Sequence, residues 1–324
     1  MIQILRPVYL LAGLAVSMAL VGPVDAQPKA SLIFSAGPTG GTWTPMAAAT
    51  ADVIKRKFPE LDVQVEPGAA LVNMEKIRND KADLGWSMTT VLSDARAGVN
   101  TWKGKQTDKP LIVANYYPNV WQLIVPIDSD VRKLEDLKGK AVALPPRGNT
   151  SLAEGWELLL RVQGMKLDDL GTKSYGSITE NGELIKNRQA VAMGWYTVVP
   201  ASFVLDVGSS RKVRMVPVSE DTIKKMQAIN PGFVRHVIPK ATYAAYGVEE
   251  DVVTIQAPTI LIASSKTPAD VIYKVTKAIV EGRDAFGNVS SVMKGTTGQH
   301  FAESFGLPRH PGAERYYREA GLLK

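Results

Sequence analysis

Apolar residues in the first part of the chain alternate between short continuous runs and helical three- and four-residue spacing. Strands are expected at 31–36, around Val63 and Val65, and at 83–88. Helices are expected between them, at about 44–58 and 70–79. Because strands and helices alternate, this segment predicts a β-α-β-α-β unit with a parallel sheet, and so an α/β fold.

The same alternation returns in a second block. Strands are predicted at 140–144, 173–175 and 190–196. Helices are predicted at 151–163, at 180–188 and from the N-cap Ser219 to Asn230-Pro231. In the first of these helices one face is apolar and is expected to point inward, through Leu152, Trp156, Leu159 and Leu160.

Two long apolar segments, Leu111–Ile127 and Val252–Ala263, flank the second block. The first is predicted as two strands interrupted near Pro118-Asn119. The second precedes a helix with Thr267 as its expected N-cap. This order predicts a discontinuous first domain (27–120 plus 256–324), a second domain (121–255), and a two-strand hinge near 115–121 and 256–258. A single large α/β domain is the alternative.

Residues 1–26 have the pattern of a secretory signal peptide. Arg6 precedes an apolar run of about 14 residues, shorter than the ~20 that span a bilayer. Val24 and Ala26 are small residues before a cleavage site. We therefore expect cleavage after Ala26 and export to the periplasm, with an uncleaved membrane anchor as the alternative.

The composition excludes a disordered tail, a collagen-like repeat and a multi-span membrane protein. With 45% hydrophobic and 22% charged residues in 324, the chain is typical of a globular protein. The net charge of +6 is not concentrated in a basic run, so no nucleic-acid partner is expected. The absence of cysteine rules out disulfides, a thiolate nucleophile and Cys-ligated zinc.

Catalytic motifs are absent from the sequence. The three histidines, His236, His300 and His310, are scattered without metal-ligand spacing. There is no GxSxG elbow, phosphate-binding P-loop or dinucleotide-binding GxGxxG. We expect neither an enzyme nor a metal or cofactor, although a catalytic carboxylate pair stays open.

Two loops occupy equivalent places in the two blocks. Gly37–Thr42 and Arg147–Ser151 each follow the first strand of a block and open its first helix. Unpaired N–H groups and the positive dipole end of a helix attract anions, so two such loops across a cleft could hold a carboxylate. Simple helix capping by Thr42 and Asn149 is the alternative.

Side chains near these loops extend the candidate site. Arg147 could grip a carboxylate with two parallel hydrogen bonds, or could be a solvated surface arginine. Trp43 adjoins the first loop, and Trp195 and Tyr196 end a strand where ligands of open α/β sheets bind. Core packing is the alternative for these aromatic residues.

Four segments in order resemble the TAXI-type solute-binding proteins of TRAP transporters, and the similarity extends over about residues 31–323. They are SAGPTGGTW from Ser35, VEPGAALVNMEKIRNDKADLGW from Val65, DLKGKAVALPPRGNTS from Asp136 and HPGAERYYREAGL from His310.

The resemblance implies a type II periplasmic binding protein fold, with two α/β lobes, a two-strand hinge and a ligand in the cleft. It implies capture of a small organic acid or amino acid, typically glutamate-like, and delivery to an ion-driven TRAP membrane permease. A sensory binding protein that presents its ligand to a membrane receptor, and a periplasmic enzyme on the same frame, are the alternatives.

Carried over residue by residue, the resemblance places the ligand site on Thr39, Gly40, Gly41, Thr42, Trp43, Asn73, Arg147, Gly148, Asn149, Thr150 and Ser151. The chain departs from the family pattern at several of these positions. Gly68-Ala69-Ala70 lacks a hydroxyl, Trp43 replaces a tyrosine, and Arg147 and Asn149 stand where small residues are usual. The ligand therefore need not be glutamate.

Overall fold

The structure, a computed structural model, describes Ile2 and residues 30–37, 42–147 and 150–323, with the backbone alone at 150 and 151. The predicted signal peptide and its cleavage site fall outside the described residues, Ile2 apart. So do Thr39, Gly40 and Gly41 of the first loop, and Gly148 and Asn149 of the second.

The predicted β-α-β-α-β segment is confirmed. It comprises β1 (Ala30–Ser35), α1 (Trp43–Lys57), β2 (Leu61–Glu66), α2 (Ala70–Arg78) and β3 (Leu84–Met88), followed by α3 (Thr89–Ala97). Both β2 and β3 pair parallel with β1. The buried face of α1 includes Met46, Thr50, Val53 and Ile54, which recur at three- and four-residue spacing.

The second block also follows the predicted order. After β4 (Pro110–Pro126) it comprises β5 (Val142–Leu144), α4 (Thr150–Val162), β6 (Lys173–Tyr175), α5 (Ile178–Lys186), β7 (Ala192–Thr197), α6 (Ser202–Ser210), β8 (Val213–Met215), α7 (Glu220–Ile229) and β9 (Val234–Ile238). Ser219 is the N-cap of α7 and accepts a hydrogen bond from the Thr222 amide, as expected.

The chain then returns through β10 (Val252–Ser264), α8 (Ala269–Glu281), α9 (Phe286–Val289), α10 (Gly298–Ala302) and α11 (Pro311–Glu319). All described strands join one sheet in the order β2-β1-β3-β10-β4-β7-β5-β6, with β8 beside β4 and β9 beside β10. Every helix in the described part of the chain is too short or too polar to traverse a lipid bilayer.

The expected interruption near Pro118-Asn119 is wrong, because β4 continues through it. Pro118 lies directly opposite Pro258 of β10. Antiparallel strands alternate between hydrogen-bonded and non-hydrogen-bonded residue pairs. Neither proline has an N–H, so the two form a non-hydrogen-bonded pair. On the outer edges, pairing with β7 begins only at Val120 and pairing with β3 stops at Thr259. No neighbouring strand therefore requires the missing donors.

The hydrophobic core changes along these two strands. We call lobe 1 the part formed by β1–β3, α1–α3 and α8–α11, whose apolar clusters include Tyr116 of β4 and Leu261 of β10. Lobe 2 consists of β5–β9 and α4–α7, and its clusters include Trp121 and Ile255. The predicted domain boundaries lie in this stretch of β4 and β10, and the division itself stays a prediction.

The helix after β10 begins one residue later than the sequence suggests, so Thr267 is not its N-cap. Pro268 occupies that position. The Thr267 hydroxyl is buried and has no hydrogen-bond partner among the described residues. Its carbonyl instead faces the Nε2 atom of His310, at 3.1 Å.

His310 caps α11 in a way that fixes its protonation state. The Gly312 amide donates to Nδ1 at 3.2 Å, so Nδ1 carries no proton and Nε2 donates to Thr267. Burial lowers the pKa of His310 from its ordinary 6.5. The folded protein therefore favours the neutral form of the His310 imidazole.

We predict that His310→Ser makes the stability less sensitive to acid. Because the folded pKa is lowered, the unfolded chain takes up a proton first, and stability falls as the pH drops through about 6.5. Serine caps a helix without titrating. Urea unfolding between about pH 7.5 and 5.5 should show a smaller loss in the variant, while His236 remains in both proteins. Equal losses of stability in the two proteins would show that His310 is not the source of the acid sensitivity.

Candidate ligand-binding cleft

A cleft of about 600 Å³ lies between the two lobes, at the crossing, which is the place where the paired strands β4 and β10 pass from one lobe into the other. Lobe 1 lines it with Trp43, Ala69, Ala70, Met88, Thr90, Val91, Asp94, Asn100 and Thr101. Lobe 2 lines it with Leu152, Glu154, Gly155, Glu157, Leu158, Arg161, Trp195, Tyr196, Ile229, Asn230 and Phe233. Asn119 and Ala257 of the crossing strands form its base.

Four helices begin at this cleft. The first turns of α1, α2, α3 and α4 contribute Trp43, Ala70, Thr90 and Leu152 to its lining. This convergence follows from the fold, because each helix starts near the carboxyl end of a strand in its lobe. The N–H groups of a first helical turn favour negative charge, so the cleft suits an acidic group.

Aromatic side chains line part of the cleft. The ring of Tyr196 lies 5.0 Å from that of Trp121 and 6.4 Å from that of Phe233. Gly155 permits this arrangement, because a Cβ there would be 2.6 Å from the Tyr196 ring. The Tyr196 hydroxyl is buried and lacks a hydrogen-bond partner among the described residues. Burial raises the pKa of Tyr196, so this hydroxyl is a proton donor.

Carboxylates from both lobes also face the cleft. Asp94 of α3 accepts hydrogen bonds from Asn100 at 2.9 Å and Asn230 at 2.8 Å. Glu154 of α4 accepts one from Thr101 at 2.9 Å. Partial desolvation raises the pKa of each carboxyl, although Glu154 itself is still exposed to water, and the pKa of Glu154 is raised further by Asp94 and Glu157. Each carboxylate would be stabilised by a positively charged neighbour.

Asn73 lies beneath the cleft rather than among its lining residues. Its Nδ2 donates to the carbonyls of Ala36 and Trp86, both at 2.8 Å, and its Oδ1 accepts from the Ala69 amide at 3.1 Å. The side chain is fully buried. Asn73 thus anchors the start of α2 and positions Ala69, and a direct contact with a ligand stays a prediction.

Arg147 is not among the residues that line the cleft. Its guanidinium stacks over Tyr175, 4.4 Å from the ring centroid, beside a separate cavity of about 210 Å³. Glu157 lines both cavities, so the two adjoin along α4. The ligand contact predicted for Arg147 stays a prediction.

The structure thus brings three of the predicted residues, Trp43, Trp195 and Tyr196, to one cleft. Thr42 stands at the N-cap of α1, exposed, and its side chain makes no capping hydrogen bond. Thr150 begins α4 and Ser151 follows it. Sequence reasoning missed Asp94 and Glu154, because single acidic residues on helices carry no distinguishing signal. Among the described residues no cluster of three or more metal-ligating side chains occurs.

Solved structures share this architecture. PhnD1 from Prochlorococcus marinus (MIT 9301), in complex with methylphosphonate, aligns with a TM-score of 0.52 and 11% identity, over 91% of this chain and 100% of its own. XAC2383 from Xanthomonas citri, bound to ATP, gives 0.51 and 13% over 90% and 96%. The periplasmic aliphatic sulphonate binding protein SsuA from Escherichia coli gives 0.46 and 14% over 89% and 82%.

These identities establish the fold alone, and the fold is the type II periplasmic binding protein fold that the chain shares with PhnD1. The family is established by the sequence. A model of the NMT1-like family matches residues 34–321, nearly the whole described chain, and the protein belongs to that family.

We predict that Asn73→Ala destabilises the protein by about 1–3 kcal/mol, because it leaves buried backbone groups without partners. Asn79→Ala is the matched control, since Asn79 ends the same helix with an exposed side chain. Urea unfolding measures both, and the control should differ little from the natural protein. Equal destabilisation by the two substitutions contradicts the anchoring role of Asn73.

Proposed function

We propose that the protein captures a small organic acid or amino acid between its lobes and delivers it to a membrane permease. Residues 27–120 with 256–324, and residues 121–255, move as two lobes about β4 and β10. The chain works in the periplasm after cleavage following Ala26. The observation that carries this proposal is the shared cleft, which four helix N-termini and both lobes line.

Within that class we favour an amino acid over a simple organic acid. The helix N-termini suit a carboxylate, whereas Asp94 and Glu154 suit a positively charged group. An amino acid carries both charges and would satisfy both sets of partners. The unpartnered Tyr196 hydroxyl can donate to one of its oxygens.

The permease that we propose is of the TRAP type. The four segments that resemble TAXI-type proteins support a TRAP permease, which an ion gradient drives. The alternative partner is an ATP-driven importer of bound solutes, with which the family and the fold are equally compatible.

We predict that L-glutamate stabilises the purified protein more than glutarate, which lacks only the ammonium group. A ligand at a hundredfold excess over its dissociation constant stabilises the native state by about 2.7 kcal/mol. Thermal unfolding with a panel of amino acids and their deaminated analogues measures the difference. Equal shifts within each pair contradict ammonium recognition, and no shift with any compound contradicts the proposed ligand class.

Two variants locate the recognition within the same assay. Asp94→Asn should reduce the advantage of the amino acid by about 1–3 kcal/mol, because a charge-assisted hydrogen bond is lost. Arg147→Ala should weaken both members of a pair alike if its guanidinium grips the carboxylate they share. An unchanged affinity for every compound would remove Arg147 from the site.

We predict that uptake of the bound amino acid depends on an ion gradient. Cells that express the protein with its permease should lose uptake when ionophores collapse the sodium or proton gradient. Depletion of ATP with the gradient maintained should leave uptake unchanged. The opposite result assigns the protein to an ATP-driven importer, and binding without uptake in either condition favours a sensory role.

A further inference from the structure

Two strands from different lobes meet end to end beside the crossing. β3 pairs with Thr259–Ala263 of β10, and β9 pairs with Val252–Gln256. Both lie on the edge of β10 opposite β4, since Thr259 and Gln256 also pair with β4. The beginning of α3, which follows β3, therefore meets the turn that precedes β9.

Hydrogen bonds connect the lobes at this junction. The Thr89 hydroxyl donates to the Gly232 carbonyl at 2.6 Å. The Asn230 side chain donates to the Thr90 carbonyl at 3.0 Å and to Asp94 at 2.8 Å. Its oxygen accepts from the Gly232 amide at 2.8 Å, which fixes the turn. We name these five residues the interlobe clasp.

The clasp is buried and tightly packed. Thr89 is 0% exposed and Asn230 is 3% exposed, so water does not replace their bonds while the lobes stay together. At Gly232 a Cβ would lie 2.5 Å from backbone atoms of Thr89 and Thr90. Backbone on both sides cannot move aside as a flexible side chain could. Only glycine permits the lobes to approach this closely.

We propose that the interlobe clasp sets the angle to which the lobes close and holds Asp94 in the cleft. β4 and β10 are the strands that continue from one lobe into the other, and the clasp adds a non-covalent connection beside them. It joins the first turn of α3, in lobe 1, to the turn after α7, in lobe 2. The inference rests on the hinged closure proposed above, but not on the identity of the ligand.

The test measures the distance between the lobes. The chain has no cysteine, so Lys103→Cys and Lys166→Cys place one spin label on each lobe, at exposed positions. Pulsed electron paramagnetic resonance on the full chain, without added ligand, gives the distance distribution. Thr89→Val, Asn230→Ala and Gly232→Ala should each shift it to longer separations.

Two matched variants serve as controls. Thr89→Ser retains the hydroxyl and should restore the natural distribution. Gly182→Ala adds a methyl group in α5, where the nearest atom would be at an ordinary 3.4 Å, and should change nothing. Thermal unfolding verifies that each variant is folded.

If Gly232→Ala fails to fold, the isosteric Thr89→Val and its partner Thr89→Ser decide the question. A natural distribution in folded Thr89→Val overturns the proposal, as does an equal shift in Gly182→Ala. Because no ligand is used, a failure of the amino acid proposal leaves this result unaffected. Conversely, an unchanged distance leaves ligand capture intact and removes only the clasp.

Discussion

The pairing of β4 with β10 is the constraint on which the rest of the molecule depends. These antiparallel strands are paired from Pro110 and Ser264 at one end to Val120 and Gln256 at the other. Each gives side chains to the core of both lobes. Where the cores change, Pro118 faces Pro258, and there the ladder has no hydrogen bond to lose between them. The proposed rotation of the lobes at this point would therefore disturb little of the sheet, and each packed core would move as a unit.

The chemistry of the cleft follows from the same geometry. In each lobe the helices begin at the carboxyl ends of parallel strands, so the N-termini of α1 to α4 lie close together where β4 and β10 connect the lobes. Such helix N-termini favour anions, which is why we propose that the cleft binds the carboxylate of its ligand. The carboxylates come from further along two of the helices, Asp94 on α3 and Glu154 on α4, one from each lobe. The result is a cleft with acceptors and donors for both ends of a zwitterion.

Sequence periodicity predicted the elements well because each depends on local spacing, as α1 and the capped α7 show. The positions of β4 and β10 were also predicted correctly. Pro118 suggested a break in β4 that does not occur, because Pro258 of β10 lies opposite it and neither proline needs to donate a hydrogen bond there. The clasp could not be foreseen, since Asn230 meets residues about 140 positions earlier in the chain. In the sequence, Asn230-Pro231 indicates only the end of a helix. Likewise, nothing near Arg147 in the sequence indicates its stacking on Tyr175.

The proposed closure of the lobes depends on the contacts that connect them across the cleft. At the rim, the exposed pair of Thr101 and Glu154 contributes little, because water competes for such bonds. The interlobe clasp lies beside the proposed hinge, where a small rotation would move it least. A ligand shifts the equilibrium between open and closed forms only by its difference in affinity for them. One that touches a single lobe has almost no such difference. A ligand whose ammonium group contacts both Asp94 of lobe 1 and Glu154 of lobe 2 would gain its second partner only on closing, so the proposed ligand is one that bridges the two lobes.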